Sequence, residues 1–182
     1  PAQMLGTIPK IKELGFKWAT LDYRWFNNFG DWEPRPETFT QESIKKVVDE
    51  YHRQGIKVQL WWLPLAVSDG QPWEPIGPEE RTAAAREQQK NPANVLKEHP
   101  DWLILDKSGK PARLFLNRAA LCPALPGVQE YHRKLTEKFI RDWGFDGHKL
   151  DMCFTMPACY NPKHSHRSPQ ESILAMGEVF KV

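Results

Sequence analysis

The residues with the clearest chemical potential in this 182-residue chain are Lys149 and Asp151, in the stretch GFDGHKLDMCF at residues 144–154. Two residues apart on a strand, they share one face, and burying two charges costs free energy unless they have a role. A carboxylate there could ligate a metal, act as a base or attack an anomeric carbon. The nearby lysine favours the ionised carboxylate, which suits a nucleophile, and could donate hydrogen bonds to substrate hydroxyls. The alternative is a structural ion pair.

A second carboxylate, Asp22, follows a strand-like run in the stretch LDYRWF. It could accept hydrogen bonds from two sugar hydroxyls, or it could be a turn or cap residue. Its neighbours Trp25, Asp31 and Trp32 could line the same site. The chain has eight tryptophans, and an aromatic ring near a strand end, as at Trp61, suits stacking on a sugar. The alternative role for any one of these tryptophans is core packing.

Metal binding is a competing function for the histidines and cysteines. His164 and His166 form an H-x-H motif, with Cys153 and Cys159 nearby in the sequence. No spacing among these four residues matches a structural zinc signature, so we predict no metal site. His148, next to Lys149, points to the opposite face of its strand and is predicted to be a packed core histidine.

Composition excludes some classes of function. The net charge is only +2 and no long Lys/Arg run occurs, so we expect no nucleic-acid partner. No apolar stretch is long enough to span a membrane, and the first residues do not resemble a signal peptide, so we expect no membrane partner. Three cysteines are an odd number that indicates no disulfide framework, which favours a reducing compartment such as the cytoplasm. A secreted or periplasmic location stays open for a protein whose signal peptide was removed.

The elements that must position these residues follow from hydrophobic periodicity and from Gly and Pro punctuation. The clearest helix begins at the cap Thr40, carries an apolar stripe of Ile44, Val47, Val48 and Tyr51, and ends at Gly55. Residues 99–116 are predicted to form two short strands around a DKSGK turn. The other predicted elements are strands at 16–22, 56–67 and 145–154 and helices at 7–15, 78–90, 126–144 and 168–182.

This order predicts an α/β fold built from parallel βα units, either a doubly wound sheet or a (β/α)8 TIM barrel. No Gly-rich phosphate loop follows any strand, which argues against a nucleotide-binding sheet. Barrel enzymes gather their catalytic groups at the C-terminal ends of the strands, where Asp22, Trp61 and Asp151 all fall. Three strands do not close a barrel of eight. We therefore expect residues 1–182 to be a partial catalytic barrel, from about helix 1 to helix 4, with the rest of the barrel and any flanking domains outside it.

An ordered set of motifs along residues 10–155 resembles glycoside hydrolase family 36, the α-galactosidases, whose clan also holds families 27 and 31. In chain order these motifs are LDYRWF, GDWEP, WWLPLAVS, HPDW, a helix opened by PGV, and HKLDM. The resemblance implies a retaining α-galactosidase that acts on α-linked oligosaccharides by double displacement and needs no cofactor.

The resemblance also implies a role for individual residues. Asp151 matches the nucleophile of the family's K-x-D motif, and Lys149 matches its substrate-binding lysine. Asp22 matches an aspartate that holds the axial and primary hydroxyls of galactose. Trp61 matches a wall of the sugar pocket. Arg118 is the nearest candidate for a substrate-binding family arginine.

The chain departs from the family pattern at two places, and the general acid/base of the family lies on a strand beyond Val182. Many members carry two successive aspartates where this chain has Asp22 and Tyr23, and many have an aspartate where it has Cys122. Three alternatives therefore stay open: an α-glycosidase or transglycosylase of other sugar specificity, a non-catalytic sugar-binding segment, and a metal-dependent barrel hydrolase. A homo-oligomer formed through parts outside the chain also stays open.

Overall fold

The computed structural model describes residues 1–72, 90–153 and 155–181. Short 3₁₀ turns occur at Pro100–Trp102 and Phe115–Asn117. The helices and strands are α1 (Ala2–Leu5), α2 (Ile8–Glu13), β1 (Trp18–Leu21), α3 (Gln41–Arg53), β2 (Lys57–Trp62), β3 (Ala66–Val67), α4 (Asn94–Glu98), β4 (Ala119–Ala120), α5 (Pro126–Glu137), β5 (Gly147–Leu150), α6 (Glu171–Leu174) and α7 (Met176–Val179).

These elements form two compact units, each built from three stretches of chain. The first unit consists of Pro1–Asn27, Trp32–Leu63 and Lys134–Asp151. The second consists of Asn28–Asp31, Pro64–Arg133 and Met152–Val182. No helix in the described ranges has both the length and the apolar composition that a membrane span requires.

The first unit contains a three-stranded parallel sheet in the order β1-β2-β5. In its register Leu21 lies beside Leu60, and Trp61 lies beside Lys149. Helix α3 connects β1 to β2, and α5 precedes β5, as a parallel sheet with helical crossovers requires. The predicted parallel βα pattern is confirmed.

Helix α3 forms as its sequence predicts. The Thr40 hydroxyl accepts a hydrogen bond from the Ser43 N–H, and the Ser43 hydroxyl accepts one from the Thr40 N–H, which makes a reciprocal capping box. The predicted apolar stripe is buried, and Gly55 follows the helix with a φ of 72° that suits glycine. The four buried residues of the stripe are Ile44, Val47, Val48 and Tyr51.

The predicted second strand, expected to end in Trp61, Trp62 and Pro64, forms as β2. Strand β2 ends at Trp62, and the chain turns through Pro64 and Leu65, whose φ is 66°. Proline cannot donate to a strand ladder and a positive φ breaks the extended conformation, so the strand cannot continue. Strand β3 after this turn pairs antiparallel with β4 in the second unit.

Several boundaries differ from the predictions. The predicted helix at 126–144 is α-helical to Glu137 and then widens into a π-helical turn before Gly144. The predicted helix at 168–182 is broken into α6 and α7. The predicted DKSGK turn forms between Leu105 and Pro111, which make an antiparallel bridge. The predicted helix at 78–90 falls outside the described residues except at its last position.

A buried apolar core fills the second unit. It contains aliphatic residues of β3, α4 and β4, together with two cysteines. In the first unit, strands β1 and β5 are the edges of the sheet among the described residues, and apolar side chains there are exposed. Trp18 at the start of β1 is 46% exposed, and Leu150 at the end of β5 is 41% exposed.

Asp146 links the start of β5 to β2 and to helix α3. Its N–H donates to the Val58 carbonyl at 2.8 Å, and its carboxylate accepts from the Val58 N–H at 2.8 Å. The same carboxylate oxygen lies 2.8 Å from His52 Nε2. Burial raises the pKa of Asp146, but the Val58 N–H and His52 outweigh it, so the pKa lies below its ordinary value. These contacts fix how β5 aligns on β2.

We expect Asp146→Asn to destabilise the protein by about 1 kcal/mol at neutral pH, because a neutral amide accepts weaker hydrogen bonds than the ionised carboxylate. A carboxyl group with a lowered folded-state pKa stabilises the fold above its unfolded-state pKa, and this stability is lost as pH falls through the folded-state value. The gap between wild type and variant should therefore close only in acid, below about pH 4. Urea unfolding over a pH series measures it. Asp49→Asn, at an exposed surface pair on α3, is the matched control and should change stability little.

Candidate active site

The parallel register brings two oppositely charged side chains together at the C-terminal edge of the sheet. Lys149 Nζ on β5 lies 2.6 Å from Asp22 Oδ2, directly after β1. The two side chains are 43% and 49% exposed, so solvent or a ligand can reach them. Asp22 Oδ1 also accepts a hydrogen bond from the Tyr23 N–H at 2.7 Å, which fixes the orientation of the carboxylate. These residues form a donor and acceptor pair that polyhydroxylated ligands can use.

Asp151, directly after β5, is held by the neighbouring strand. The indole N–H of Trp61 donates to Asp151 Oδ2 at 2.8 Å, and the Asp151 N–H donates to the Trp62 carbonyl at 3.2 Å. Trp61 is itself only 2% exposed. A carboxylate oriented by a buried donor is preorganised to act as a nucleophile or a base. The sequence interpretation located Trp61 at this edge but gave it a role as a sugar-pocket wall, not as a hydrogen-bond donor to Asp151.

Two residues with strained backbones follow these carboxylates. Arg24 has a φ of 80°, two residues after Asp22, and Met152 has a φ of 48°, directly after Asp151. Non-glycine residues in this region each cost about 1–3 kcal/mol and cluster at functional sites. The strain therefore coincides with the two strand ends that carry the candidate carboxylates.

Tyr23 was noticed in the sequence only as a departure from a family pattern. In the structure its ring meets the edge of Trp61 at a centroid distance of 5.2 Å. A cavity of about 560 Å³ opens beside the end of β1. Its lining residues include Asp22, Tyr23 and Thr38. The position of Tyr23 directly after Asp22 at a strand end could have indicated that its side chain lines this cavity.

The predicted contact of Trp25 with substrate stays a prediction. In the structure the Trp25 side chain is buried. Its indole N–H donates to the Trp61 carbonyl at 2.7 Å, and its ring packs edge-on against Phe139 and Trp143 at centroid distances of 5.8 and 5.7 Å. Trp25 therefore supports Trp61 from behind, because a buried indole N–H needs an acceptor.

Three other residues from the sequence interpretation have structural surroundings of their own. Trp32 is buried in the first unit. Asp31, in the second unit, accepts hydrogen bonds from the Asn94 and Val95 N–H groups and so caps helix α4. Arg118, also in the second unit, is 1% exposed, with its guanidinium 3.7 Å from the Phe29 ring centre. Its substrate-binding role stays a prediction.

His148 packs in the first unit as the sequence predicted. Its ring lies against Trp62 and Phe139, at centroid distances of 5.7 and 6.1 Å. Burial lowers the pKa of His148, so the ring is neutral at neutral pH. It therefore contributes packing beside the site and no charge.

Comparison with known proteins identifies the class to which this fold belongs. Residues 10–177 match the family described as the glycosyl hydrolases family 31 TIM-barrel domain. The chain is 31% identical, over 98% of its length, to the A type blood alpha-D-galactosamine galactosaminidase of Flavonifractor plautii, of which it covers 16%. It is 26% identical, over 74% of its length, to alpha-galactosidase Mel36A of Lactobacillus acidophilus, of which it covers 14%.

A solved structure supports the same fold. The alpha-galactosidase from Lactobacillus brevis superposes on 98% of the chain with a TM-score of 0.73 at 22% identity, and the chain covers 22% of it. The fold is thus that of a glycoside hydrolase (β/α)8 barrel, of which this chain contains a part. The chain belongs to the glycosyl hydrolases family 31 TIM-barrel domain family, a clan relative of the family 36 that its motifs resemble. It spans less than a quarter of each of these three proteins.

We expect Trp25→Phe to lower the melting temperature without changing sugar affinity. The change removes the donor to the Trp61 carbonyl, and an unsatisfied buried acceptor costs about 1–3 kcal/mol. Trp18→Phe, at a half-exposed position, is the control and should change the melting temperature less. A several-fold loss of sugar affinity with an unchanged melting temperature would show that Trp25 contacts the ligand after all.

Proposed function

We propose that this chain carries the nucleophile half of a retaining α-glycosidase of the family 36 type, which acts on terminal α-galactosyl residues of oligosaccharides. The observation that carries the proposal is the Asp151 carboxylate, fixed by the Trp61 indole at the C-terminal end of β5. The Asp22–Lys149 pair at the same sheet edge supports it. The names of the two curated relatives, a galactosaminidase and an alpha-galactosidase, support the substrate class.

In this mechanism Asp151 attacks the anomeric carbon as the glycosidic bond breaks, which forms a covalent glycosyl-enzyme and releases the leaving group. A second carboxyl group protonates the leaving oxygen and later takes a proton from the water that hydrolyses the intermediate. In retaining enzymes the two carboxyl groups lie roughly 5–5.5 Å apart. We propose that the second group comes from a later strand of the barrel, so that the 182-residue chain alone does not turn over substrate.

The other side chains at this edge bind and orient. The Asp22 carboxylate can accept hydrogen bonds from two neighbouring sugar hydroxyls, and the Lys149 ammonium can donate to a third. Their mutual ion pair is half exposed, so sugar hydroxyls can take over part of it without leaving a buried charge unpaired. Trp61 acts through Asp151 as a positioning residue.

The open edges of the sheet support a larger barrel. Among the described residues β1 and β5 each pair with one strand only, and the exposed Trp18 and Leu150 lie on these edge strands. Unpaired strand edges with apolar side chains are aggregation-prone unless another strand or helix covers them. Further strands of an eight-stranded barrel would pair there and bury both residues.

We expect Asp151→Ala, made in the longer protein that carries this chain, to lower kcat for an aryl α-galactoside by roughly 10⁴-fold or more. Added azide should restore turnover, because a small anion can occupy the space of the missing carboxylate. It should form the β-galactosyl azide, since a single displacement inverts the anomeric centre. Product formation and anomeric configuration are measured by NMR.

The matched control for this experiment is Asp49→Ala, an exposed carboxylate on α3, which should leave kcat unchanged. Full activity in Asp151→Ala would exclude the nucleophile assignment. A loss of activity that azide does not rescue, in a protein with wild-type stability, would place Asp151 in binding or in acid/base catalysis instead.

A second candidate substrate is an α-galactosaminide. It is favoured by the 31% identical relative, whose name is that of a galactosaminidase, and by Tyr23 in place of a second aspartate. Aryl α-galactoside, α-galactosaminide and α-glucoside compared by kcat/KM separate the possibilities. We expect Asp22→Asn to lower kcat/KM for the preferred sugar by roughly 10- to 100-fold, mainly through KM, because charge-assisted hydrogen bonds to hydroxyls are weakened. Equal values for all three sugars would contradict specificity at Asp22.

A further inference from the structure

Four side chains of metal-ligating type converge in the second unit. They are Cys122, Cys159, His164 and His166, and their ligand atoms all lie within 4.8 Å of one another. Cys122 Sγ lies 3.2 Å from His166 Nε2, and Cys159 Sγ lies 3.3 Å from His164 Nδ1. We propose that these four side chains bind one zinc ion in a closed, structural site.

The spacing of the ligand atoms approaches that of a zinc tetrahedron. With Zn–S near 2.3 Å and Zn–N near 2.0–2.1 Å, adjacent S and N ligands lie about 3.5 Å apart and two S ligands about 3.8 Å apart. The two sulfur–nitrogen distances, 3.2 and 3.3 Å, are close to this value. The longest distance between two ligand atoms, up to 4.8 Å, must shorten by about 1 Å to fit this tetrahedron. A small rotation of a half-buried histidine side chain can supply this change.

The ligands are oriented by contacts outside the group. His164 Nε2 lies 2.6 Å from the Asp101 carbonyl, so it carries the proton and donates it. This leaves the lone pair of His164 on Nδ1, the atom that faces Cys159. A histidine that donates its other ring N–H to a carbonyl is the usual arrangement around a metal, because the hydrogen bond fixes both tautomer and ring orientation.

The backbone that carries the ligands is also fixed. The Cys122 N–H donates to the Trp102 carbonyl at 2.8 Å, and the Cys159 N–H donates to the Pro169 carbonyl at 2.8 Å. The Asn161 side chain donates to the Leu103 carbonyl at 2.9 Å. A metal bound by such a frame would cross-link the segment that contains Cys159, His164 and His166 to the chain that follows β4.

The chemistry of the four ligands selects the metal and the kind of site. Two sulfurs and two imidazole nitrogens suit zinc and disfavour magnesium or calcium, which prefer oxygen. Four protein ligands complete a tetrahedron and leave no position for a catalytic water.

The sequence interpretation missed this group because it considered Cys153 and Cys159 beside the two histidines and left out Cys122. Cys153 lies close to them in sequence, but it is exposed and lies outside the group. Cys122 lies far upstream at the end of the β4 segment and is fully buried. A ligand at this sequence distance matches no short zinc motif.

The test is the metal content of the longer protein that carries this chain, purified without chelator and analysed by mass spectrometry. We expect one zinc per chain in wild type, and a loss of at least about tenfold in zinc affinity for Cys122→Ser, Cys159→Ser and His166→Ala. Cys153→Ser is the matched control and should keep its zinc. Chelation should lower the melting temperature of wild type, while the zinc-free variants should not respond to chelator.

If the variants do not fold, reconstitution of the wild-type protein with cobalt still tests the proposal. Wild-type apoprotein loaded with Co²⁺ should show thiolate-to-cobalt charge transfer and the visible bands of tetrahedral coordination. Three results would each overturn the proposal: no stoichiometric uptake of zinc or cobalt, cobalt spectra without thiolate charge transfer, or full zinc content in Cys122→Ser and Cys159→Ser. A Cys122–Cys159 disulfide in place of metal, shown by thiol titration, would overturn it as well. None of these results depends on the nucleophile assignment.

Discussion

The alignment of β5 on β2 is the constraint on which the candidate active site depends. It places Lys149 beside Trp61 and carries Asp151 to the Trp61 indole. Because side chains alternate across a strand, a slip of one residue would turn both charged residues to the opposite face. The short strand β5 has few ladder hydrogen bonds of its own with which to prevent this. Asp146 supplies the fixed point, since both its main chain and its side chain bond to Val58 at the start of the pairing.

The orientation of Asp151 also depends on hydrogen bonds made by two tryptophans. A buried indole N–H without an acceptor is costly, because it is an unsatisfied polar group in a core. Trp25 donates to the main chain of Trp61, and Trp61 donates to Asp151. The requirement that stabilises the core therefore also orients the carboxylate. Packing behind the sheet and geometry at its edge are two parts of one arrangement, with Trp61 shared between them.

The features that the sequence predicted are those set by neighbouring residues or by the spacing of apolar residues along one helix or strand. The capping box at Thr40, the apolar stripe of α3 and the positions of Asp22 and Asp151 at strand ends follow from spacing alone. The burial of Trp25 and the distant cysteine of the proposed zinc site depend on contacts between segments far apart in the sequence, which periodicity does not report. The end of β2 near Pro64 also follows from a local rule, because proline cannot donate to a strand ladder.

Met152, directly after the proposed nucleophile, has a strained backbone. A non-glycine residue with a φ of 48° persists only when the structure on both sides of it is well determined. On one side the pairing of β5 with β2 provides this restraint. On the other side the chain leads to Cys159, whose main chain is bonded to Pro169 and whose sulfur faces His164.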